Sequence, residues 1–203
     1  SYHTPTAFFI IGLLYFFLPS VVWLALRHQA SKIIWLWCVG GGTFAVGMLL
    51  IAARASVPLW LTYPVANLLA WIGMLMQAAA LRHALQEKWE VKWSVLIVAV
   101  GLLVFEYFRL ILESASLRFG WATAMYVGTF FYITYLARKI SLTYQLRNAR
   151  WLSVVYGLAG LMLSIRMVRV VFGWAYPDVI AEGIDSILTI MIGLLISVVG
   201  SFT

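Results

Sequence analysis

Charged side chains are scarce in this sequence, and that scarcity already indicates the class of protein. Asp, Glu, Lys and Arg make up 10% of the 203 residues. A soluble domain of ordinary composition carries roughly 25% of these residues. Hydrophobic residues account for 64% of the chain, and its mean hydropathy is +0.98. We therefore predict an integral membrane protein rather than a soluble globular domain.

Cysteine and histidine are also rare, and their positions exclude several kinds of site. A single cysteine, Cys38, cannot form a disulfide framework. His3, His28 and His83 lie at the ends of apolar runs, whereas a membrane b-type haem needs paired histidines inside helices. The last apolar run contains no lysine that could hold retinal.

Motifs for catalysis are missing as well. The sequence contains no HExxH, CxxC or GxSxG and no phosphate-binding glycine loop. We therefore expect no catalytic residue, no metal site and no cofactor, and this region is not predicted to be an enzyme. The net charge of +7 is interpreted through membrane topology, and no nucleic-acid partner is expected.

Long apolar runs dominate what is present. Seven of them are long enough, at about 17 to 25 residues each, to span a bilayer. Connections between them are short, so consecutive helices are expected to be antiparallel neighbours. The prediction is an all-α integral membrane protein, a single seven-transmembrane helix bundle over residues 1–203. The predicted spans are 7–26, 33–53, 59–81, 93–112, 121–137, 151–172 and 180–202.

The basic residues are distributed unevenly between the two sides of this bundle. Nine of the 14 lie after the first, third and fifth spans, and five lie on the other side. The side with nine is predicted to be cytoplasmic, which places the N-terminus outside and the C-terminus inside. The outer side holds five of the seven acidic residues. The net charge therefore belongs to the inner rim, and the outer half carries a balanced set of opposite charges.

An acidic and basic triplet ends the fourth apolar run. Glu106, Arg109 and Glu113 are spaced i, i+3 and i+7 and are predicted to share one helical face. Ionised groups in hydrocarbon need partners or a wet cavity. Glu106 lies roughly 20 Å along the fourth span and Arg166 roughly 22 Å along the sixth. We therefore expect the fourth, sixth and seventh spans to adjoin, with carboxylates between the arginines.

This outer charge cluster has two compatible interpretations. It is either a structural ion-pair network or a pocket that opens outward, in which arginines bind a carboxylate or phosphate and aromatic rings form the walls. The ligand would be an amphiphilic or anionic small molecule. The candidate ligand-binding residues are Arg54, Trp60, Tyr63, Asn67, Glu106, Tyr107, Arg109, Glu113, Arg166, Arg169, Trp174, Asp178, Glu182 and Asp185.

Small residues and prolines predict where helices pack closely or bend. The last span carries a polar-then-small face, which we expect to pack on other helices or on a second subunit and to carry a signal inward. Pro19 and Pro64 predict kinks. The close-packing positions are predicted at Gly40, Gly41, Gly42, Gly47, Gly157, Gly160 and Ser164, and the last-span face comprises Glu182, Ser186, Thr189, Gly193, Ser197 and Gly200.

The second and third spans carry a set of spaced residues that together suggest a family. They are Trp37 with the glycines after it, Gly47, Arg54, Pro58-Leu59-Trp60, Asn67 and Gly73, with an R-x-x-R pair at Arg166 and Arg169. In these features the chain resembles the N-terminal seven-helix membrane sensor regions of bacterial signalling proteins.

The resemblance implies a receptor in the bacterial cytoplasmic membrane. Such regions precede a diguanylate cyclase (GGDEF) or histidine kinase domain, so a cytoplasmic output domain is expected beyond Thr203. Because those outputs work as dimers, a homodimer is expected. The resemblance names no ligand.

Other classes of function stay open. A small transporter or an ion- or proton-conducting subunit would use Glu106 and its neighbours as a relay and would need a polar path to the inner face. Below Glu106 the fourth span is apolar, and the sixth offers Ser153, Tyr156 and Ser164. A membrane scaffold without a ligand is a further alternative. The expected partners are membrane lipids and the small-molecule ligand.

Overall fold

The computed structural model of the chain describes residues 3–26 and 31–173, and these ranges are helical without a β-strand. The predicted all-α class is thereby confirmed for them, whereas the predicted seventh span, 180–202, lies outside the described residues. The elements are α1 (His3–Leu26), α2 (Lys32–Ala52), a π-helical turn (Leu61–Val65), α3 (Ala66–Ala84), α4 (Val91–Leu110), α5 (Ala115–Tyr144) and α6 (Arg147–Val171).

Four of the described helical segments are long and apolar enough to cross a membrane. They are Lys32–Ala52, Leu61–Ala84, Val91–Leu110 and Arg147–Val171. Helix α5 falls outside this group because Thr and Tyr side chains recur along it. The helix nevertheless lies inside the bundle, where Ile133 and Ala137 are fully buried. Seven spans and the direction of insertion stay predictions.

The ends of α5 and α6 differ from the prediction. Helix α5 spans 30 residues where 121–137 was predicted, and α6 begins at Arg147 rather than at 151. Polar and charged residues such as Arg138 extend the helix past the apolar run, because backbone hydrogen bonding does not require apolar side chains. Gln145, in the left-handed conformation with φ 55°, ends α5.

The predicted position of Glu113 on the helical face of Glu106 and Arg109 is wrong. Helix α4 ends at Leu110, and Glu113 lies beyond it with φ 47°. The next residue, Ser114, caps α5 by accepting a hydrogen bond from the backbone N–H of Leu117 at 3.3 Å. Because α5 starts there, the chain must turn between 111 and 113, and Glu113 becomes an exposed turn residue.

Consecutive helices pack antiparallel, and glycines mark where α2 and α3 approach most closely. A Cβ on Gly40 would lie 2.6 Å from the carbonyl oxygen of Gly73, and one on Gly47 would lie 2.6 Å from that of Ala66. Close packing is thus confirmed at Gly40 and Gly47. The prediction of close packing is wrong at Gly42, where an added Cβ would meet nothing within 4 Å.

The order of packing contradicts one predicted adjacency. Helix α3 packs on α2, α4 and α5, and α5 packs on α3, α4 and α6. Within the described ranges no Cα of α4 lies within 8 Å of a Cα of α6. The expected contact between the fourth and sixth spans is therefore wrong, since α5 is the neighbour of both.

A buried polar contact joins the middle of the bundle. The hydroxyl of Tyr156 donates to Oε1 of Gln77 at 3.2 Å, and Tyr15 is hydrogen-bonded to Tyr156. Gln77 is 2% exposed and lies on α3, while the tyrosines belong to α6 and α1. This contact links three helices and satisfies polar atoms that would be costly to leave unpaired away from water.

Candidate anion-binding site

Five candidate side chains of the described chain lie at one end of the bundle, around the ring of Tyr63. We call this end, which holds the connections 53–60 and 111–114, the Tyr63 end. The opposite end, which holds the connections 85–90 and 145–146, is the Glu87 end. The five predicted residues that the structure brings to the Tyr63 end as neighbours are Arg54, Tyr63, Asn67, Glu106 and Arg109.

Two guanidinium groups lie over the Tyr63 ring. The Cζ atom of Arg54 is 4.2 Å from the ring centroid, and that of Arg118 is 4.5 Å from it. Such cation–π contacts contribute about 0.5 to 2 kcal/mol each. The ring therefore ties the end of α2 to the first turn of α5.

A local irregularity in the backbone positions Tyr63. Pro64 has no N–H to donate, and the chain around it forms a π-helical turn in which the N–H of Ala66 bonds to the carbonyl of Leu61. The predicted kink at Pro64 takes this form. Asn67, 5% exposed, donates from Nδ2 to the carbonyl of Tyr63 at 2.8 Å. Its Oδ1 accepts from the Tyr126 hydroxyl at 3.1 Å, which joins α3 to α5.

A third guanidinium lies at the same end with a carboxylate partner. Arg109 binds Glu106 on its own helix in a bidentate ion pair, with both 3.0 Å contacts made by Nε. Phe105, buried beside Glu106, contacts the rings of Tyr63 and Trp71 at centroid distances of 6.5 and 6.2 Å. Glu106 thus pairs with Arg109 on its own helix and not with the sixth span, on which Arg166 was predicted to lie at a similar level.

The described part of this cluster has more positive than negative charge. Its guanidiniums belong to Arg54, Arg109 and Arg118, and its carboxylate is that of Glu106. Within the described residues, no carboxylate oxygen lies within 4.0 Å of the Arg118 guanidinium. Its planar set of donors suits a carboxylate or phosphate.

The remaining predicted site residues are not among these neighbours of Tyr63 in the described chain. Trp60 and Tyr107 are 59% and 51% exposed, which is typical of rings at a membrane interface. Arg166 lies over the ring of Phe119 at 5.4 Å, and Arg169 is in the last turn of α6. Trp174, Asp178, Glu182 and Asp185 fall outside the described residues.

Sequence reasoning missed Arg118, Tyr126 and Trp71 as members of this cluster. Arg118 is one of the five basic residues on the predicted outer side. The predicted fifth span begins at 121, which leaves Arg118 in a connection. The cap at Ser114 was the available signal. Tyr126 and Trp71 are neighbours through a tertiary contact, with centroids 6.4 Å apart, that no spacing in the sequence reveals.

The chemistry of the cluster favours an anion over a cation. In the described chain no three His, Cys, Asp or Glu side chains come together in a metal-binding arrangement. No family model, no curated protein and no solved structure matches the chain.

Proposed function

We propose that this chain is the membrane-embedded sensor region of a bacterial signalling receptor of the kind that it resembles. Its cluster at the Tyr63 end binds the carboxylate or phosphate of an amphiphilic small molecule from the outer side. The observation that carries the proposal is the placement of Arg54 and Arg118 over one ring, with Arg118 lacking a described carboxylate partner.

The mechanism depends on which elements the ring connects. Arg54 follows α2, Tyr63 lies in the π-helical turn, and Arg118 is in the first turn of α5. An anion that binds the Arg118 guanidinium competes with the ring for it and so favours a different spacing of these elements. A ligand shifts such an equilibrium only by its difference in affinity for the two arrangements. The predicted last span, 180–202, would pass the change to a cyclase or kinase domain.

A second candidate function is that of an ion- or proton-conducting subunit. One observation favours it, namely that α3 carries buried polar residues. Asn67 and Gln77 are both buried there, at different depths of the bundle. They are ten positions apart, or roughly 15 Å along the helix. The buried residues of α3 between them are Ala70, Trp71, Gly73 and Met74. This apolar interval separates the polar groups, and the receptor is therefore the preferred proposal.

Thermal unfolding of the protein in lipid nanodiscs tests anion binding. The probes are hexanoate and its neutral analogue hexanamide, which share a carbon skeleton and differ in charge. At about ten times its Kd a ligand stabilises by about 1.4 kcal/mol, which for a chain of this size raises Tm by roughly 3 to 6 °C. We expect this rise with hexanoate and none with hexanamide.

Two arginine variants complete this test. Arg118→Gln should abolish the hexanoate effect, whereas Arg147→Gln, an exposed residue in the first turn of α6 at the Glu87 end, should keep it. Equal shifts in both variants would show that hexanoate acts on the bilayer or elsewhere on the protein, and the proposed site would be wrong.

A further inference from the structure

A cavity of about 590 Å³ lies at the Glu87 end of the bundle, between α3, α4 and α5. None of the residues gathered around Tyr63 lines it. Its walls come from the second half of α3, the first turns of α4, the middle of α5 and the connection that carries Trp89. The cavity is therefore separate from the candidate anion-binding site, and its role does not depend on the proposed function.

The cavity lies beside the first turns of α4, whereas from Val98 onward the helix is anchored to the bundle. There, Nε1 of Trp121 donates to the carbonyl of Gly101 at 2.8 Å, and Phe105 packs on Trp71. One of the α5 positions that line the cavity is Gly128, where an added Cβ would meet nothing within 4 Å. No side chain from α5 fills the space at that position.

The lining changes from polar to apolar along the bundle axis. Arg82 and Tyr132 lie at the Glu87 end of the cavity, whereas Leu75 and Ala124 lie deeper. Arg82 is seven positions from Leu75 on α3, and Tyr132 is eight positions from Ala124 on α5. These separations correspond to roughly 10 to 12 Å along the helices. A molecule that fits this gradient has a polar head and an apolar tail of comparable length.

Basic residues outnumber acidic ones at the polar end. Lys139 and Arg82 share the carboxylate of Glu87, at 2.6 and 3.1 Å, and Lys92 is 3.2 Å from Glu90. Lys88 lines the cavity, and in the described chain no carboxylate oxygen lies within 4.0 Å of its ammonium. In the lining itself Arg82 and Lys88 stand against Glu90, and this excess of one positive charge favours an anionic head group.

The cavity is bordered by the most exposed of the candidate membrane spans. Of the four candidate spans, α4 has the smallest share of buried residues, 17% of its apolar window. Its cavity-lining residues Trp93 and Ile97 are 57% and 50% exposed. Trp93 and Trp89 are the type of side chain that sits at the head-group level. A lipid can therefore enter sideways past α4 without crossing the bundle.

We propose that this cavity binds one anionic phospholipid. Its phosphate lies near Lys88, Arg82 and the Tyr132 hydroxyl, and one acyl chain occupies the apolar part between Leu75 and Met125. Basic pockets between membrane helices are suited to such head groups. The apolar depth of the cavity selects a lipid over a free phosphate ion.

Native mass spectrometry of the protein, released from bilayers of phosphatidylcholine with phosphatidylglycerol as the minor component, tests this proposal. The wild type should retain one phosphatidylglycerol in preference to phosphatidylcholine. Lys88→Gln should lower that retention about fivefold, as expected for one basic residue near an anionic surface. The matched control Lys32→Gln, an exposed residue in the first turn of α2 that does not line the cavity, should leave it unchanged.

A second variant and a competitor separate the cavity from the protein surface. Gly128→Leu, for which the structure has room, places a bulky apolar side chain in the cavity and should lower the retention of the lipid. An excess of inorganic phosphate should not displace it. The proposal is overturned if Gly128→Leu retains the lipid as the wild type does, if Lys88→Gln and Lys32→Gln behave alike, or if inorganic phosphate displaces the lipid.

Discussion

The ring of Tyr63 determines the arrangement of charges at its end of the bundle. Two guanidiniums lie within 4.5 Å of its centroid, and a third, that of Arg109, belongs to the same end of the bundle. Guanidiniums repel one another, so their convergence needs a partly negative surface between them. The face of an aromatic ring supplies such a surface without forming a salt bridge.

Removing this ring should therefore destabilise the protein. Tyr63→Ala loses two cation–π contacts and the packing on Phe105, and we expect it to cost about 2 kcal/mol or more. Tyr63→Phe keeps the ring and should cost less than half as much. Thermal unfolding in nanodiscs measures both, with the exposed Tyr107→Ala as the control expected to change little. If the Ala and Phe variants of Tyr63 unfold alike, the ring does not hold the arginines.

At the scale of elements, the closest pair is α2 with α3. Their backbones approach at Gly40 and Gly73, and an added Cβ on Gly73 would lie 2.5 Å from both the carbonyl oxygen of Gly40 and the backbone N of Phe44. Small residues permit this approach, which gives helices in a membrane most of their packing contacts. The position of α2, and with it Arg54 beyond its end, depends on this contact.

Replacing two glycines by alanine, one at a time, should distinguish the effect of close packing on stability from the effect of helix propensity. Gly73→Ala overpacks a backbone contact and should destabilise by about 1 to 3 kcal/mol. Gly42→Ala meets no atom within 4 Å, and it should stabilise by up to about 1 kcal/mol through helix propensity alone. Thermal unfolding of both variants measures the difference. Destabilisation by Gly42→Ala equal to that by Gly73→Ala would contradict the observed helix faces.

The connection between α3 and α4 is held by ion pairs that depend on pH. A hydrogen bond from Lys139, with the nearby charge of Arg82, holds the pKa of Glu87 below its ordinary value of 4.5. Because the pKa is lower in the folded state, the contribution of Glu87 to stability is present above the unfolded-state pKa. It is lost as pH falls through the folded-state pKa.

The Tm difference between wild type and Glu87→Gln should therefore be largest near neutral pH and vanish in acid, below 4.5. Thermal unfolding across a pH series measures it. Glu90→Gln, in an exposed pair with Lys92, is the matched control and should change Tm little throughout. A Glu87→Gln difference that persists unchanged into acid would show that the carboxylate charge is not the cause.

At the scale of the whole molecule, the sequence predicted the positions of the helices better than it predicted which helices pack against each other. Apolar length is a local property, so the described helices coincide with six of the seven predicted runs apart from their ends. Packing order is not local. Counting depth along α4 and α6 placed Glu106 level with Arg166, but α5 lies between these helices and Glu106 pairs with Arg109 instead.

The candidate site was predictable to a similar extent. Arginine and carboxylate at helical spacing in an apolar setting identified Glu106 and Arg109, and the residues around Pro64 identified Tyr63 and Asn67. The contacts of Arg118 and Tyr126 depend on how α5 approaches α3, which no sequence pattern specifies. The cavity at the Glu87 end was missed for the same reason, since it results from how one helix packs against two others.

The two ends of the bundle thus carry different chemistry. The Tyr63 end holds arginines around an aromatic ring, and the Glu87 end holds a basic rim beside an apolar cavity. Binding of a soluble amphiphilic anion at the first end is the central claim.

Isothermal titration of hexanoate into nanodiscs that contain the wild type, Arg118→Gln or Arg147→Gln tests it most directly. We predict one saturable site in the wild type, with the same Kd in Arg147→Gln and a Kd raised at least about tenfold in Arg118→Gln, since a charge-assisted hydrogen bond is worth about 1.5 to 3 kcal/mol. An unchanged Kd in Arg118→Gln would contradict the claim.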